Sequence, residues 1–466
     1  MAMISVFLLL FISSLAEEKL VFLLTIFRHG ARSPTKYYDE SSHLDYLFEK
    51  WDSPGELTPT GRRMHYALGH RNREIYIEQK HFLSEKYDPH EILVYCTSYN
   101  RTLESVASQL QGLYPFGTGA EITKEQKVNS FPPLNLSSKV KSELDKMNNS
   151  ALPFRMSLVP IRMINKEEGK ITIRRKKGCD KRYSEIYEKN IKNSVELKNF
   201  VKKFKENYNQ ALNKMYGKEK KYDYDFIDKL CDAFIAGTTE AKKMEKIDKN
   251  KIDKEKFLSE CFELKKIKYK NLMAGDKEKA VATLEVSKLL PEFIHYMKQR
   301  IDADIKKIDT KKNIEDYSKP KMLMISGHHF NLGMWEIFFI KVFLNNDYTK
   351  YIYPKFASQL ALEVVTENNT DSSKKNYSDY TVKCYFNDDL LFSSKVDEFV
   401  NLVESNIYND DKINEFCKEI SNYLYLMIIF ITTTVLSIIL MISFIIKINK
   451  TKSSNINDDD LQIPIN

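Results

Sequence analysis

Short apolar runs alternate with amphipathic segments along most of this chain. Runs typical of buried strands occur at residues 20–26, 91–96, 321–326, 357–366 and 380–387. Segments with apolar residues at helical spacing occur at 60–79, 102–113, 280–305, 331–344 and 396–407. Strands interleaved with helices predict an α/β fold, a three-layer sandwich around a mixed, mainly parallel central sheet. Thr60 is the predicted N-cap of the first helix.

The stretch 166–279 differs from the rest in composition. It is rich in Lys, Glu and Tyr and poor in Gly and Pro, and its apolar residues keep helical spacing. We therefore expect a helical cap subdomain, about residues 165–275, inserted into the α/β body. Lysines are mixed with acidic residues and the formal net charge is only +8, so no nucleic-acid partner is expected.

The two ends of the chain predict a compartment. Residues 1–16 have an apolar core and a small-residue ending, typical of a cleaved secretory signal. Residues 423–446 carry no charge and, at about 1.5 Å per residue, can cross roughly 30 Å of hydrocarbon as one transmembrane helix. Lysines follow at once, so the tail 447–466 should be cytoplasmic and the ectodomain, 17–420, lumenal or extracellular.

Two guanidinium groups flank an imidazole directly after the first predicted strand, in Arg28-His29-Gly30-Ala31-Arg32. Planar guanidinium groups match phosphate oxygens, and a neutral imidazole is a competent nucleophile at phosphorus. The alternative is a basic surface loop, but the buried strand immediately before the segment disfavours it.

Two later strand ends carry the same residue types. Arg101 follows the second predicted strand, and His328 and His329 follow the third. Because the carboxyl ends of parallel strands share one edge of a sheet, we expect Arg101 and His328 to meet His29 there. A single histidine at a strand end is more often a core residue than a catalyst, so the prediction depends on the three strand ends converging.

Taken together, these motifs resemble the histidine acid phosphatases, a branch of the histidine phosphatase superfamily. The matching stretches lie between about residues 20 and 417; they are Arg28-His29-Gly30-x-Arg32-x-Pro34, Leu57-Thr58-x-x-Gly61, Leu68-Gly69, residues 96–103 and Leu113-Tyr114-Pro115. The prostatic and lysosomal types are the most similar, and the lysosomal type also has a signal and one C-terminal span.

The resemblance implies a role for each matching residue. His29 is the expected nucleophile, forming a phosphohistidine intermediate, and Arg28, Arg32, Arg101 and His328 are expected to bind the phosphate. The implied substrate is an orthophosphate monoester. No metal and no cofactor are expected, because arginines take the place of a divalent ion.

Position 329 departs from the family pattern, which has an aspartate after the second histidine as proton donor. Here His329 stands in its place. An imidazolium of pKa about 6.5 can donate a proton in acidic surroundings, but nearby arginines would lower that pKa. Two alternatives stay open: an active phosphatase, with His329 as the proton donor, or a weakly active or inactive phosphate-binding ectodomain.

Six cysteines in a secreted chain favour disulfides. The resemblance implies a bridge between Cys179 and Cys417. It also marks Cys231 as a half-cystine, but the position of the usual partner holds Gln359 in this chain. Cys261 is a possible partner in its place. The other two, Cys96 and Cys384, fall in predicted strands and are expected to be buried thiols. The sequons expected to carry N-glycans are Asn135, Asn148, Asn368 and Asn376.

These features together predict a single-pass type I membrane protein of a lysosome-like compartment or of the cell surface. A homodimer is possible by likeness to the prostatic enzymes. The sequence leaves the natural substrate open.

Overall fold

A computed structural model describes most of the chain; the described residues are 18–35, 51, 53–165, 179–217, 221–243, 247–248, 250–274, 280–306, 320–367, 375–417 and 422–456. They belong to two compact units, Met1–Cys417 and Lys418–Asn466. The predicted signal at 1–16 and the sequon at Asn368 lie outside the described residues.

Seven strands of the described chain form one sheet, in the order β3-β2-β4-β1-β5-β6-β7. The strands are β1 Glu18–Arg28, β2 Ile92–Thr97, β3 Arg162–Ile164, β4 Met322–Gly327, β5 Gln359–Glu367, β6 Tyr380–Phe386 and β7 Asp389–Lys395. Pairing is parallel from β3 through β2 and β4 to β1, and antiparallel from β1 through β5 and β6 to β7. The predicted mixed α/β sheet is confirmed, with parallel pairing confined to one half. The carboxyl ends of β1, β2 and β4 therefore share an edge.

Burial along the strands explains which of them the sequence revealed. Every residue of β2 and of β4 is buried, as in parallel strands that are covered on both faces, so both appear as continuous apolar runs. In contrast, β6 alternates buried and half-buried positions. Two strands were not predicted: β3 has three residues, and β7 at the opposite edge is mostly polar and exposed.

Helices cover both faces of the sheet. Those before β4 are α1 Pro59–Arg73, α2 Asn100–Leu113, α3 Lys124–Val128, α4 Ser138–Lys146, α5 Cys179–Tyr187, α6 Val195–Tyr216, α7 Tyr224–Thr239, α8 Lys254–Ala274, α9 Ala280–Val286 and α10 Leu290–Ile305. Those after it are α11 His329–Phe343, α12 Val396–Asn406, α13 Asp410–Cys417 and α14 Asn422–Ile456. Leu23 of β1 belongs to the core that includes Leu110 of α2, whereas Leu24 belongs to the core that includes Phe293 of α10. The three-layer arrangement is confirmed.

Prolines account for two differences from the predicted helices. Thr58, not Thr60, is the N-cap of α1: its hydroxyl accepts the N–H of Gly61 at 3.1 Å, with Pro59 at the first helical position. A π-helical segment, Glu74–Gln79, continues α1 to the predicted end. The predicted helix 280–305 is two helices, because Pro291, the second residue of α10, has no N–H with which to continue α9.

The helices α5 to α8 fill the described part of the predicted cap; we call them the helical insert. The second unit contains α14, in which Ile429–Asn449 is long and apolar enough to cross a membrane by length and composition.

Candidate active site

The loop after β1 packs closely on the beginning of α1. A side chain on Gly30 would place its Cβ 2.4 Å from the carbonyl oxygen of Gly61, so neither backbone leaves room for one. The carbonyl of Ala31 accepts the N–H of Thr58 at 3.0 Å, and the hydroxyl of Ser105 accepts the N–H of Gly30 at 3.1 Å. These contacts fix the backbone on which the neighbouring histidine stands.

His29 is only 1% exposed, and its ring is oriented by its own backbone. Its Nδ1 lies 2.9 Å from the carbonyl oxygen of Gly30, which can only accept, so Nδ1 carries the proton. Burial, followed by the charges of Arg28 and its neighbours, holds the pKa of His29 well below its usual value. The imidazole is therefore neutral, with the lone pair on Nε2 available.

Two arginines of this segment share an aromatic neighbour with His29. The guanidinium of Arg28 lies over the ring of Phe356, with Cζ 4.2 Å from the centroid, and donates to the carbonyl of Pro354 at 2.7 Å. Cζ of Arg32 is 5.9 Å from the same centroid, and so is the centroid of the His29 ring. The predicted convergence of these three side chains is present in the structure.

The second and third strand ends join this group. The rings of His29 and His328 are 5.5 Å apart, and Nη2 of Arg101 is 3.5 Å from Nδ1 of His328. Since an arginine N–H can only donate, Nδ1 of His328 accepts and its Nε2–H donates to the hydroxyl of Thr97, at 3.0 Å. Burial lowers the pKa of Arg101 to about 10, so its guanidinium stays charged at neutral and acidic pH. We call Arg28, His29, Arg32, Arg101 and His328 the cationic cradle.

The helical insert adds a carboxylate that sequence reasoning missed. Asp232 on α7 accepts two hydrogen bonds from the guanidinium of Arg32, at 2.9 and 3.2 Å. Burial would raise its pKa, but Arg32 and then Lys265 outweigh that effect and hold the pKa well below its usual value. Arg32 is thereby fixed in place by a residue 200 positions away in the chain.

His329 also meets the insert. It is half-buried as the first residue of α11, and its Nε2 is 2.5 Å from the hydroxyl of Tyr269 on α8. Burial and then Arg28 and Arg32 hold the pKa of His329 well below its usual value. Its Nδ1 is buried, with no hydrogen-bond partner among the described residues.

The balance of charge suits a dianion. Among the described residues, Asp232 is the single carboxylate that is hydrogen-bonded to any of the three guanidinium groups, and it bonds to Arg32. The Nε atoms of Arg28, Arg32 and Arg101 are buried, and no partner for them exists in that part of the chain. The N-termini of α2 and α11, which follow β2 and β4 directly, add partial positive charge at the same edge. The described residues contain no group of three or more His, Cys, Asp or Glu that could hold a metal ion.

Two disulfides involve the insert. Cys231 of α7 is bonded to Cys261 of α8 within it, and Cys179 of α5 is bonded to Cys417 of α13, the pairing that the resemblance implied. As expected, the thiols of Cys96 and Cys384 are free and buried. Among the described sequons, Asn135, Asn148 and Asn376 are exposed.

Signals for the missed residues were present but indirect. Asp232 is the neighbour of Cys231, and Lys265 and Lys268 lie four and seven positions after Cys261, on one face of a helix. Had the Cys231–Cys261 pair been certain, it would have placed α8 next to Asp232.

Comparison with known sequences identifies a family model that covers most of the chain. Residues 19–387 match the histidine phosphatase superfamily (branch 2). A lysosomal acid phosphatase of Xenopus laevis is 38% identical over 99 residues, covering 21% of this chain and 22% of that protein. A testicular acid phosphatase of Mus musculus is 38% identical over 109 residues, covering 23% and 25%. The alignments thus span about a quarter or less of these relatives.

Solved structures with the same fold extend over nearly the whole chain. The apo form of Hafnia alvei phytase has a TM-score of 0.53 at 12% identity, covering 87% of this chain and 100% of that one. A phytase from Klebsiella sp ASR1 has a TM-score of 0.52 at 13% identity, covering 84% and 97%. At such identities the likeness shows the fold alone.

Proposed function

The chain belongs to the histidine phosphatase superfamily, branch 2, and we propose that it is an acid phosphatase that hydrolyses orthophosphate monoesters through a phosphohistidine on His29. One observation carries the proposal. A buried imidazole is neutral, with Nδ1 donating to the carbonyl of Gly30, and it lies among the buried guanidinium groups of Arg28 and Arg32 and the half-buried one of Arg101. A neutral, oriented imidazole is a nucleophile, and guanidinium groups are the natural ligands of a phosphoryl group.

In this proposal the cationic cradle binds the phosphate and stabilises the transition state. Phosphoryl transfer depends mainly on positioning and on charge stabilisation at the equatorial oxygens. Arg28, Arg32 and Arg101 supply N–H donors with fixed positions, because Phe356, Asp232 and Tyr99 hold their planes. His328 positions Arg101 through its Nδ1, and it becomes a further ligand of the phosphate when its Nε2–H turns from the hydroxyl of Thr97 to the substrate.

The covalent step uses Nε2 of His29. Its lone pair forms a bond to phosphorus while the bond to the leaving oxygen breaks. The positive charge that develops on the ring is shared with the carbonyl of Gly30 through Nδ1–H. Water then attacks the phosphohistidine, and the P–N electron pair returns to His29, so that two lower barriers replace one.

A second function is supported by the residue at position 329. His329 stands where the family has its acid, and its pKa is lowered by burial and by Arg28 and Arg32. A protonated imidazolium is therefore disfavoured. If no other proton donor acts, the chain is a weakly active or inactive phosphate-binding ectodomain.

The apolar helix favours a membrane location. We propose that Ile429–Asn449 anchors the protein as a single-pass type I membrane protein, with the catalytic domain lumenal or extracellular. Its relatives include lysosomal acid phosphatases, which favours a lysosome-like compartment over the cell surface. The homodimer stays a prediction.

Turnover of an activated ester separates the two functions. The full-length protein in detergent micelles is expected to cleave p-nitrophenyl phosphate between pH 4 and 7, and His29→Ala to abolish this. Phosphate binding by a folded wild-type protein without turnover at any pH in that range would favour the binding function.

A further inference from the structure

We propose that Tyr269 and His329 together form a proton relay to the leaving group, with Tyr269 acting through the imidazole of His329. This inference rests on the proposed function and deepens it, because it names what takes over from the aspartic acid of the family. Tyr269 is a positioning residue in this scheme, and His329 is the residue that touches the leaving oxygen.

The pair is defined by contacts from two elements. The hydroxyl of Tyr269 lies 2.5 Å from Nε2 of His329, and the two ring centroids are 4.5 Å apart. Tyr353 stacks on Tyr269 at 5.8 Å with an interplanar angle of 20°. The phenol therefore has a fixed direction toward the imidazole.

The direction of this hydrogen bond decides which nitrogen can serve the substrate. Burial raises the pKa of Tyr269, so its O–H is intact at neutral and acidic pH and can donate to Nε2. His329 then carries its own proton on Nδ1. That nitrogen is buried and has no partner among the described residues, and Arg28 and Arg32 of the cradle are near enough to shift the pKa of the ring.

A disulfide and two ion pairs join α7 to α8, the helix that carries Tyr269. The disulfide between Cys231 and Cys261 joins α7 to α8. Asp228 of α7 binds Lys265 and Lys268 of α8, at 2.6 and 2.7 Å. The carboxylate and the two ammonium groups leave a net positive charge beside the phenol, with Nζ of Lys268 5.4 Å from its ring centroid.

The protons balance over both half-reactions. When the P–O bond breaks, its electron pair goes to the leaving oxygen, which takes the proton from Nδ1 of His329. Nε2 of the same ring takes the proton of Tyr269, and the phenolate that results is stabilised by Lys265 and Lys268. When water attacks phosphorus, its proton goes to Nδ1 and the Nε2 proton returns to Tyr269. The enzyme ends in its starting state.

The charged and titratable groups around the pair come from five places. They are Arg28 and Arg32 at and after the end of β1, His328 before α11, Tyr353 before β5, Asp228 and Asp232 on α7, and Lys265 and Lys268 on α8. The ionised acids and bases among them leave a net positive charge, which favours a transient phenolate over an imidazolium as the charged member of the pair.

The test compares two leaving groups in the full-length protein in detergent micelles. p-Nitrophenolate departs without a proton, whereas the alkoxide of β-glycerophosphate needs one. Tyr269→Phe is expected to lower kcat/KM about 100-fold on β-glycerophosphate and less than about 5-fold on p-nitrophenyl phosphate, because kcat/KM reports the phosphorylation step. A purely structural role of Tyr269 would lower both values equally, and that result would overturn the relay.

Two further variants sharpen the test. Tyr208→Phe removes another phenol of the insert, one whose ring packs on Phe204 and Phe257, and it should leave the ratio of the two kcat/KM values unchanged. In a His329→Asp background the carboxylic acid donates its own proton, so Tyr269→Phe should change the ratio less than about 3-fold. If Tyr269→Phe in this background still lowered kcat/KM much more on β-glycerophosphate than on p-nitrophenyl phosphate, the relay would be overturned.

Failure of the proposed function gives a different result from failure of the relay. If the wild-type protein cleaves neither ester, both fall. If it cleaves both esters and Tyr269→Phe changes them by the same factor or not at all, the phosphatase stands and the relay falls.

Discussion

The cationic cradle and the helical insert contribute to one site, but their residues are distributed differently along the sequence. The cradle comes from short segments at three adjacent strand ends, each of which carries its arginine or histidine within a few residues. The insert reaches the same site from α7 and α8, where Asp232 holds Arg32 and Tyr269 meets His329. In the proposed function the cradle therefore supplies the groups that touch phosphate, and the insert positions Arg32 and sets the protonation of His329.

This difference indicates whether substitutions in the cradle or in the insert should reduce activity more. In the proposed function, residues of the cradle act directly on the reacting atoms, so losing one should remove binding or chemistry outright. Residues of the insert act through a partner, so their loss should be smaller and should appear as altered geometry, proton supply or stability. The predictions below test this ranking.

Loss of the nucleophile is expected to have the largest effect. His29→Ala should lower kcat for p-nitrophenyl phosphate at least about 10⁴-fold, because it removes the imidazole whose Nδ1–H is held by the carbonyl of Gly30 and whose Nε2 is left free for phosphorus. The measurement is steady-state kinetics on a protein whose circular dichroism is unchanged. Activity within tenfold of wild type would place the chemistry elsewhere.

Loss of a cradle arginine should come next. Arg101→Ala removes one donor to the phosphate and should lower kcat/KM about 10²- to 10³-fold. Arg62→Ala is the matched control: this exposed arginine of α1 pairs only with Glu104 among the described residues, so its loss should change kcat/KM less than 2-fold. Equal effects of the two substitutions would show that Arg101 is not a phosphate ligand.

Loss of the carboxylate from the insert should be milder. Asp232→Asn weakens the bidentate contact that fixes Arg32, and we expect kcat to fall about 10- to 100-fold through misplacement of the guanidinium. Asp225→Asn, an exposed acid of the same helix, should have no measurable effect. A loss as large as that of Arg101→Ala would contradict the ranking of cradle above insert.

The smallest effect concerns acid stability. Burial opposes ionisation of Asp228, but Lys265 and Lys268 outweigh it and lower the pKa from 3.8 to about 2. A depressed folded-state pKa gives stability that is present above about pH 4 and lost as the pH falls toward 2. In urea unfolding, the stability difference between wild type and Asp228→Asn should therefore shrink by about 2 kcal/mol from pH 6 to pH 2. A difference independent of pH would show that the ion pairs do not contribute.

The cradle was predictable because its residues are local to strands that can be recognised. Buried parallel strands appear as unbroken apolar runs, and His29, Arg101 and His328 follow such runs within a few positions. Parallel pairing then brings the strand ends to one edge without any knowledge of side-chain packing.

The insert was not predictable in the same way. Helical spacing identifies the apolar face of a helix but not the neighbour it packs on, and the Arg32–Asp232 contact joins residues 200 positions apart. Smaller errors have local causes. The hydroxyl of Thr58 caps α1 where Thr60 was expected, and the break before α10 depends on a single proline, Pro291.

Trapping the covalent intermediate tests the central claim most directly. Wild-type protein is mixed for milliseconds with a ³²P-labelled monoester, quenched in alkaline detergent, in which phosphohistidine survives, and mapped by mass spectrometry. We predict an acid-labile phosphoryl group on His29 that is absent from His29→Ala. Turnover of the ester with no labelled enzyme, or with label on any other residue, would contradict the account.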